Sequence, residues 1–449
     1  MSIKPIKSIL IANRGEIARR VIRTAKKMGI KTVAVYSEID ADALFVKEAD
    51  AKVNLGGRSP AENYLDVDKI MEAAVEHECD AIHPGYGFLS ENPELVRRCE
   101  QNSITFIGPK AETMQSMGDK QQARETARKL GVPTVPGSEI LQTPEEAVQA
   151  AEELGFPVLL KASAGGGGIG MKKVDDSDSL SKAFTETTDR AGAAFSDKRV
   201  YLEKYLPQPH HIEIQVFCDH QGNVLTFLER ECSIQRRYQK VIEESPSSFA
   251  TSELRQGLRD AARKLVQGIN YINAGTIEFV VDRDRNFYFL EANTRLQVEH
   301  PATEAVTGLD LVEMQIKTAS GEELPIQEQD LSFQGWAIEA RIYAEDPVRF
   351  FPAPGTIKEY SEPTGVGIRV DSGYTAGDTI TPFYDPLIAK LIAWGEDRQT
   401  AIERLLQALK EYHISGIKTN IPFLIKAVDS ELFKEGGYDT HFVDTLTGK

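Results

Sequence analysis

Residues 276–293 read as two strands around a turn. The first flank is Thr276-Ile277-Glu278-Phe279-Val280, the centre Asp282-Arg283-Asp284-Arg285-Asn286, and the second flank Tyr288-Phe289-Leu290-Glu291-Ala292-Asn293. Both flanks are rich in β-branched and aromatic residues, and the centre is a turn-type cluster. With the turn centred between Asp284 and Arg285, Glu278 stands opposite Glu291. Like charges directly opposed in a sheet destabilise it, so the pairing needs something between the two acids. A divalent cation answers this. Glu278, Glu291 and the nearby Asn293 are hard oxygen ligands, suited to Mg2+ or Mn2+ bridging phosphates. The alternative is a solvated hairpin face on which both acids point to water. A bulge would shift the register.

Around this hairpin the chain changes character twice. The first ~115 residues alternate strands (8–12, 31–36, 80–83, 104–108) with helices, the clearest being 15–28 with Gly29 as its stop. That rhythm predicts an open parallel sheet. Residues 110–130 read as one helix, closed by Gly131-Val132-Pro133. From Pro157 hairpins take over, with strands at 158–161, 200–203, 211–217 and 224–229, ending at the acidic hairpin. From Trp336 short strands and turns are expected, then a helix over 400–412. The fold class is therefore α/β (α+β), in three segments: 1–115, 116–330 and 331–449. A chain of 449 residues accommodates about three domains.

The net charge of −16 repels nucleic acid and anionic membranes, yet leaves room for a local basic pocket. No apolar run approaches the ~20 residues of a membrane span, and the N-terminus reads as a first strand rather than a signal peptide. Cys79, Cys99, Cys218 and Cys232 show no CxxC or zinc spacing. Free thiols in core positions, in a reducing cytoplasm, are expected.

Three further words carry chemistry. The glycine run Lys161-Ala162-Ser163-Ala164-Gly165-Gly166-Gly167-Gly168-Ile169-Gly170-Met171 follows a strand. Consecutive glycines let backbone N–H groups wrap a phosphate. The run is neither a Walker A loop nor a dinucleotide fingerprint, and a flexible surface loop is the alternative. Next, Arg295, Gln297 and Glu299 alternate, so an extended strand would put them on one face. A guanidinium beside a carboxylate could hold an oxyanion and its base, or be a surface ion pair at i, i+4. Last, Gln235-Arg236-Arg237-Tyr238-Gln239-Lys240 is a basic cluster that could attract phosphate or bicarbonate; a solvated charge run is the usual explanation. His83, His210 and His211 read singly as structural histidines.

Together these segments resemble biotin carboxylase, the ATP-grasp component of biotin-dependent carboxylases. The resemblance also rests on Ile11-Ala12-Asn13-Arg14-Gly15-Glu16-Ile17-Ala18, His83-Pro84-Gly85-Tyr86-Gly87-Phe88-Leu89-Ser90-Glu91-Asn92, Met117-Gly118-Asp119-Lys120, Asn293 through Pro301, and Gly416-Ile417-Lys418-Thr419-Asn420. It spans essentially the whole chain. It implies an ATP-grasp fold between a Rossmann-like N-terminal domain and a β-rich C-terminal domain. It implies ATP-dependent phosphorylation of bicarbonate to carboxyphosphate, then capture of CO2 by N1 of biotin on a carrier protein. By matching positions, Lys120 and Lys161 contact ATP phosphates, and Gly167 and Gly168 belong to a glycine lid. Glu203, Lys204 and Leu206 line the adenine pocket, with His211 near the ribose and Tyr238 at an ATP contact. Glu278 and Glu291 bind metal at two expected sites, assisted by Asn293. Lys240, Arg295, Gln297 and Val298 surround bicarbonate, Glu299 is its base, and Arg341 stabilises the biotin enolate.

The resemblance further implies a homodimer and, as partners, a biotin carboxyl carrier protein and carboxyltransferase subunits. The expected setting is acetyl-CoA carboxylase, and so fatty acid biosynthesis; a pyruvate or propionyl-CoA system could use a similar subunit. No Met-Lys-Met biotinylation word occurs in the chain, so carrier and transferase are expected as separate polypeptides. Three positions depart from the family. Tyr238 stands where His is frequent, Ala292 where Met is frequent, and Ile169 where a basic residue is frequent. These motivate a competing reading, a nucleotide-binding regulatory subunit without catalysis. Another ATP-grasp ligase is a third reading, disfavoured by Glu299 and Arg341.

Overall fold

The computed structural model describes residues 3–163, 170–195 and 197–448. The glycine run at 164–169, with Gly167, Gly168 and Ile169, lies outside the described residues. Five parallel strands form the first sheet: β1 (Ser8–Ile11), β2 (Lys31–Tyr36), β3 (Ala51–Asn54), β4 (Ala81–His83) and β5 (Thr105–Phe106), in the order β3-β2-β1-β4-β5. Every residue of β1 is buried, as helices on both faces of a parallel sheet demand. The unanticipated β3 is an edge strand, exposed at every second residue. The loops after β1 and β4 meet: Asn13 Nδ2 donates to the carbonyls of Pro84 and Tyr86, both at 2.7 Å. They form a crevice outside the carboxyl ends of the strands, where open α/β sheets bind ligands.

The single helix expected over 110–130 is two helices, Ala111–Gly118 and Lys120–Lys129. Asp119 is extended (φ −84°, ψ 113°), and its carboxylate caps the second helix by accepting from the Gln122 N–H. A small antiparallel sheet follows, order β7-β6-β8, from β6 (Val158–Ala162), β7 (Met171–Val174) and β8 (Val200–Lys204).

The largest sheet is antiparallel and has eight strands. They are β9 (His210–Cys218), β10 (Val224–Arg236), β11 (Gln239–Ser245), β12 (Asn273–Val281), β13 (Phe287–Asn293), β14 (Trp336–Tyr343), β15 (Ile368–Ser372) and β16 (Leu387–Gly395), in the order β13-β12-β9-β10-β11-β14-β16-β15. Two expectations are corrected. β10 runs seven residues beyond Glu229, to Arg236. The sheet also does not close at the acidic hairpin: β13 is an edge, and the opposite side continues into β14, a strand of 8 residues, and β16, of 9, where short strands were expected. The helix expected over 400–412 is Arg398–Glu411.

Alternation decides which side chains reach the site. On β9 and β12, Ile212, Ile214, Val216, Ile277, Phe279 and Val281 pack on the helix Ser252–Gly268. Each such fully buried side chain contributes roughly 1.5–3 kcal/mol. The other face receives His211, Glu213, Gln215, Thr276 and Glu278. A slip of one residue would drive these polar groups into the core, so the register is strongly specified. The hairpin adds a refinement. Pairs Val281↔Phe287 and Phe279↔Phe289 centre its turn on Asp284, half a residue earlier than the sequence suggested. Leu290 is then an extra residue, a bulge, beyond which Glu278 pairs with Glu291 after all. The bulge keeps Phe289 and Ala292 in the core while both Leu290 and Glu291 turn to the cavities.

On β14 and β16, Ile338, Ala340, Ile342, Ala389, Leu391 and Ala393 join the core that the helices Arg398–Glu411 and Ile421–Asp429 complete. Among the described residues no helix is long and apolar enough to cross a membrane. All four cysteines are free and buried.

Candidate active site

Three carboxylates lie abreast on one face of the large sheet. Glu213 on β9 faces Glu278 on β12, and Glu278 faces Glu291 on β13. Sequence reasoning missed Glu213, although His211-Ile212-Glu213-Ile214-Gln215-Val216 shows the same polar–apolar alternation as the acidic hairpin. Opposed acids need cations. Arg230, wholly buried, donates Nε to Glu213 Oε1 at 2.5 Å. Lys240 Nζ donates to Glu213 Oε2 at 2.6 Å, Glu278 Oε1 at 3.0 Å and Glu299 Oε1 at 2.7 Å. The basic cluster is therefore solvated only at its tip. Lys240 is sequestered, Arg236 pairs with Glu345, and Gln235 contacts His211 Nδ1 at 2.8 Å. Arg237 and Tyr238 form the exposed turn between β10 and β11, with φ +48° and +67°. This is the left-handed pair that a tight two-residue hairpin requires.

The segment 294–299 is a loop, not the expected extended strand. The strand ends at Asn293, and Glu299 occupies the N-cap of the helix His300–Thr307. Its side chains converge nonetheless. Arg295 Nη1 donates to Gln297 Oε1 at 2.9 Å, and Gln297 Nε2 donates to Glu278 Oε1 at 3.0 Å. The i, i+4 ion pair with Glu299 does not form. Arg295 Nε instead donates to Glu91 at 2.9 Å, and Glu91 also accepts from the Thr294 N–H at 2.8 Å. Two sequence words 203 residues apart are thereby stapled together. Glu299, wholly buried, accepts from Lys240 and, at 2.9 Å, from Arg341 Nη2. Arg341 Nε also donates to Glu243 at 2.7 Å. Asn420, from the word 416–420, brackets Arg341 on β14: its amide donates to the Arg341 carbonyl at 2.9 Å and accepts from the Tyr343 N–H at 2.8 Å.

The electrostatics separate these acids. Burial opposes ionisation of Glu299, but Lys240, Arg341 and Arg230 outweigh it and hold the carboxyl well below the usual range. Glu278 is likewise held down, against burial, by Lys240 and His211. Glu213 behaves differently: burial outweighs Arg230, and its carboxyl is pushed up to about 7. Lys240 stays charged well above its ordinary range because its acidic neighbours overcome desolvation.

Two cavities meet at this floor. The first, about 650 Å³, is lined by Lys240, Glu278, Glu291, Asn293, Arg295, Gln297, Val298 and Arg341 from the sheet side, and by Asn13, Arg14 and Tyr86 from the first sheet. The second, about 500 Å³, is lined by Lys161, Glu203, Lys204, Leu206, Leu290 and Val443. His211 and Tyr238 border both. Lys161 Nζ donates to Glu203 at 2.8 Å, and Arg124 sits 3.1 Å from the same carboxylate. Lys204 Nζ turns away to the Gly155 carbonyl at 2.6 Å. Lys120 lines neither cavity; burial lowers its pKa, with Glu291 opposing. His83 is structural, its ring contacting Gln315 and the Gly85 N–H, whereas His211 Nε2 contacts Glu278 at 2.6 Å. Ala292 faces the core under the hairpin.

Of the two acids expected to hold a hard divalent ion, Glu278 is already engaged, by His211 on one oxygen and by Lys240, Asn293 and Gln297 on the other. Glu278 and Glu291 face one another, and among the described residues no cation pairs with Glu291. Both are hard oxygen donors of the kind such an ion takes, and an ion between them would displace donors now on Glu278. Asn293 is differently engaged: its amide nitrogen donates to Glu278 at 2.7 Å and its oxygen accepts from Arg295 at 3.1 Å. The sets with the tightest ligand spacing are His211–Glu213–Glu278 and Glu213–Cys232–Glu299, and neither includes Glu291.

Residues 5–114 match the biotin carboxylase N-terminal domain, 119–327 the carbamoyl-phosphate synthase L chain ATP-binding domain, and 339–445 the biotin carboxylase C-terminal domain. A biotin carboxylase of Halalkalibacterium halodurans is 52% identical over 97% of this chain and 97% of its own. One of the pyruvate carboxylase subunits of Methanothermobacter thermautotrophicus is 52% identical over 97% of this chain and 89% of its own. Among solved structures, the biotin carboxylase domain dimer of Hydrogenobacter thermophilus 2-oxoglutarate carboxylase, in complex with MgADP, ADP and bicarbonate, superposes with a TM-score of 0.95. It shares 47% identity over 98% of this chain and 97% of that one. With an eight-stranded sheet presenting Glu278 and Glu291 to the first of two adjoining cavities, and with relatives matching over nearly the whole chain, the chain belongs to the biotin carboxylase family.

Proposed function

We propose that this chain carboxylates biotin on a carrier protein, using ATP and bicarbonate. The observation that carries the reading is Glu299, buried beneath the first cavity and held ionised by Lys240 and Arg341, which both line it, next to a second cavity of about 500 Å³. Lys240, Arg295, Gln297 and Val298 hold bicarbonate in the first cavity. Glu299 takes its proton as the bicarbonate oxygen attacks the γ-phosphate, giving carboxyphosphate and ADP. Carboxyphosphate then breaks its C–O bond to give CO2 and phosphate, the phosphate takes the N1 proton of biotin, and Arg341 stabilises the resulting enolate while N1 captures the CO2. Lys161, Glu203, Lys204, Leu206, His211 and Tyr238 form the nucleotide cavity, with Lys120, Gly167 and Gly168 assigned to the phosphates through the family pattern. A magnesium or manganese ion between Glu278 and Glu291, with Asn293 after release of Arg295, would supply charge neutralisation for the phosphates.

The same reading takes residues 1–115, 116–330 and 331–449 as three units, a homodimer as the working assembly, and a reducing cytoplasm as the setting of the four free thiols. Relatives named for different carboxylases leave the carboxyl acceptor to the partner transferase. Acetyl-CoA carboxylase is our assignment, tested by transfer to acetyl-CoA against pyruvate with each purified transferase.

The primary test is ADP release from Mg-ATP with and without bicarbonate, adding free biotin. Turnover that requires bicarbonate and rises with biotin is expected. Nucleotide binding without such turnover would favour a regulatory role. A second prediction concerns the metal. Glu291→Gln should weaken Mg-ATP by at least about 10–100-fold, the range for losing a group that only orients a metal ligand, and metal-free ATP far less. Equal losses for both forms would argue against coordination.

A further inference from the structure

β11 and β14 put Glu243 directly opposite Glu339, and Arg341 follows two residues later on the same face. Both glutamates are fully buried. One oxygen of Glu243 accepts from Arg341. Its other oxygen, and both oxygens of Glu339, have no hydrogen-bond partner among the described residues. Two ionised carboxylates facing each other in a dry interior carry a desolvation cost that one guanidinium does not offset. A single proton resolves this, because a carboxylic acid both donates and accepts.

We propose that Glu243 and Glu339 hold one proton between them, so that the pair bears one negative charge and clamps the Arg341 guanidinium against Glu299. Glu339 is then a positioning residue for Arg341. The inference rests on the role proposed above for Arg341.

The other charged groups on this face are already engaged, Asp371, opposite Lys390, by Arg369. The His300 ring keeps one nitrogen, Nε2, without a partner among the described residues. Lys390 on β16, opposite Arg341, donates to the Val298 carbonyl at 2.9 Å and lies 3.2 Å from Glu16. The helix His300–Thr307 covers the face, since Ala302 and Val306 pack on Ala337. Of its titratable groups, His300 Nδ1 bonds to the Gln297 carbonyl at 2.8 Å, and Glu304 is taken by Arg20 and Arg369. Glu299 is held by Lys240 as well as Arg341. Burial pushes the Glu339 carboxyl well above its ordinary range, Lys390 opposing and Glu243 reinforcing.

The test compares Glu339→Gln, the neutral isostere of the acid, with Glu339→Ala in the whole enzyme. Glu339→Gln should keep kcat within about twofold of the parent and lose one protonated-carboxyl C=O band from the infrared spectrum at neutral pH. Glu339→Ala should lower kcat at least about tenfold, equivalent to 1.36 kcal/mol, with KM for ATP unchanged. Equal impairment of the two variants, or a carboxylic-acid region of the infrared spectrum unchanged from the parent in Glu339→Gln, would overturn the proposal. If Glu339→Ala does not fold, the band and kcat of Glu339→Gln decide alone. Arg341→Gln is assayed alongside. Full turnover there would defeat the role given to Arg341, while the infrared band reports the shared proton independently.

Discussion

Glu299→Gln is expected to lower bicarbonate-dependent ATP cleavage by about 10²–10⁴-fold, the usual share of a general base. ATP binding should be nearly unchanged, because Glu299 is absent from the nucleotide cavity. The fold should survive as well. Lys240 keeps Glu213 and Glu278, and Arg341 keeps Glu243, so neither cation is left buried alone. The variant therefore separates chemistry from stability. ADP release at saturating nucleotide, together with calorimetric ATP affinity, measures both. Parental turnover in the variant would remove Glu299 from the mechanism. Because Lys240 and Arg341 hold its carboxyl well below the ordinary range, the acid limb it imposes on kcat/KM should lie below ~4.3, the value of a free glutamate.

Lys240→Met is the second large effect, and it acts on stability and activity together. One ammonium serves three buried carboxylates, Glu213, Glu278 and Glu299. Removing one partner of a buried ion pair costs about 3–5 kcal/mol. Arg230, His211 and Arg341 remain beside the three acids, so the lower end is expected near neutral pH. The pH dependence has a definite sign. In the parent, Glu278 and Glu299 have depressed pKa values. Their stabilisation is present above the unfolded carboxylate value of ~4.3 and fades as pH falls through the folded values. Lys240 is raised, so its contribution is complete below ~10.4 and fades as pH rises through the folded value. Without the ammonium the three acids rise toward protonation, and the variant's deficit should shrink from about pH 8 to about pH 5.5. Urea unfolding at both pH values measures it. A deficit of equal size at both would show that Lys240 acts through packing instead of charge.

Much of the fold was legible in the chain because it is dictated locally. Alternation of polar and apolar side chains made β9 and β12 readable as strands, β-branched and aromatic enrichment did so for β13, and a continuous apolar run did so for β1. The opposition of Glu278 and Glu291 was legible from turn chemistry, although the register reaches it only through the bulge at Leu290. The break at Asp119 was missed because its capping role depends on one backbone angle, which helical periodicity does not report.

The sequence by itself determined the strand and helix faces, the acidic hairpin and, through long specific words, the family. Tertiary structure alone decided which charges meet. Glu213 joins the acid row through pairing of β9 with β12, Glu91 reaches Arg295 across 204 residues, and Glu339 faces Glu243 through pairing of β11 with β14. The physical reason is range. Periodicity follows from sterics and burial between near neighbours, whereas the partner of a buried charge depends on register between strands far apart in the chain.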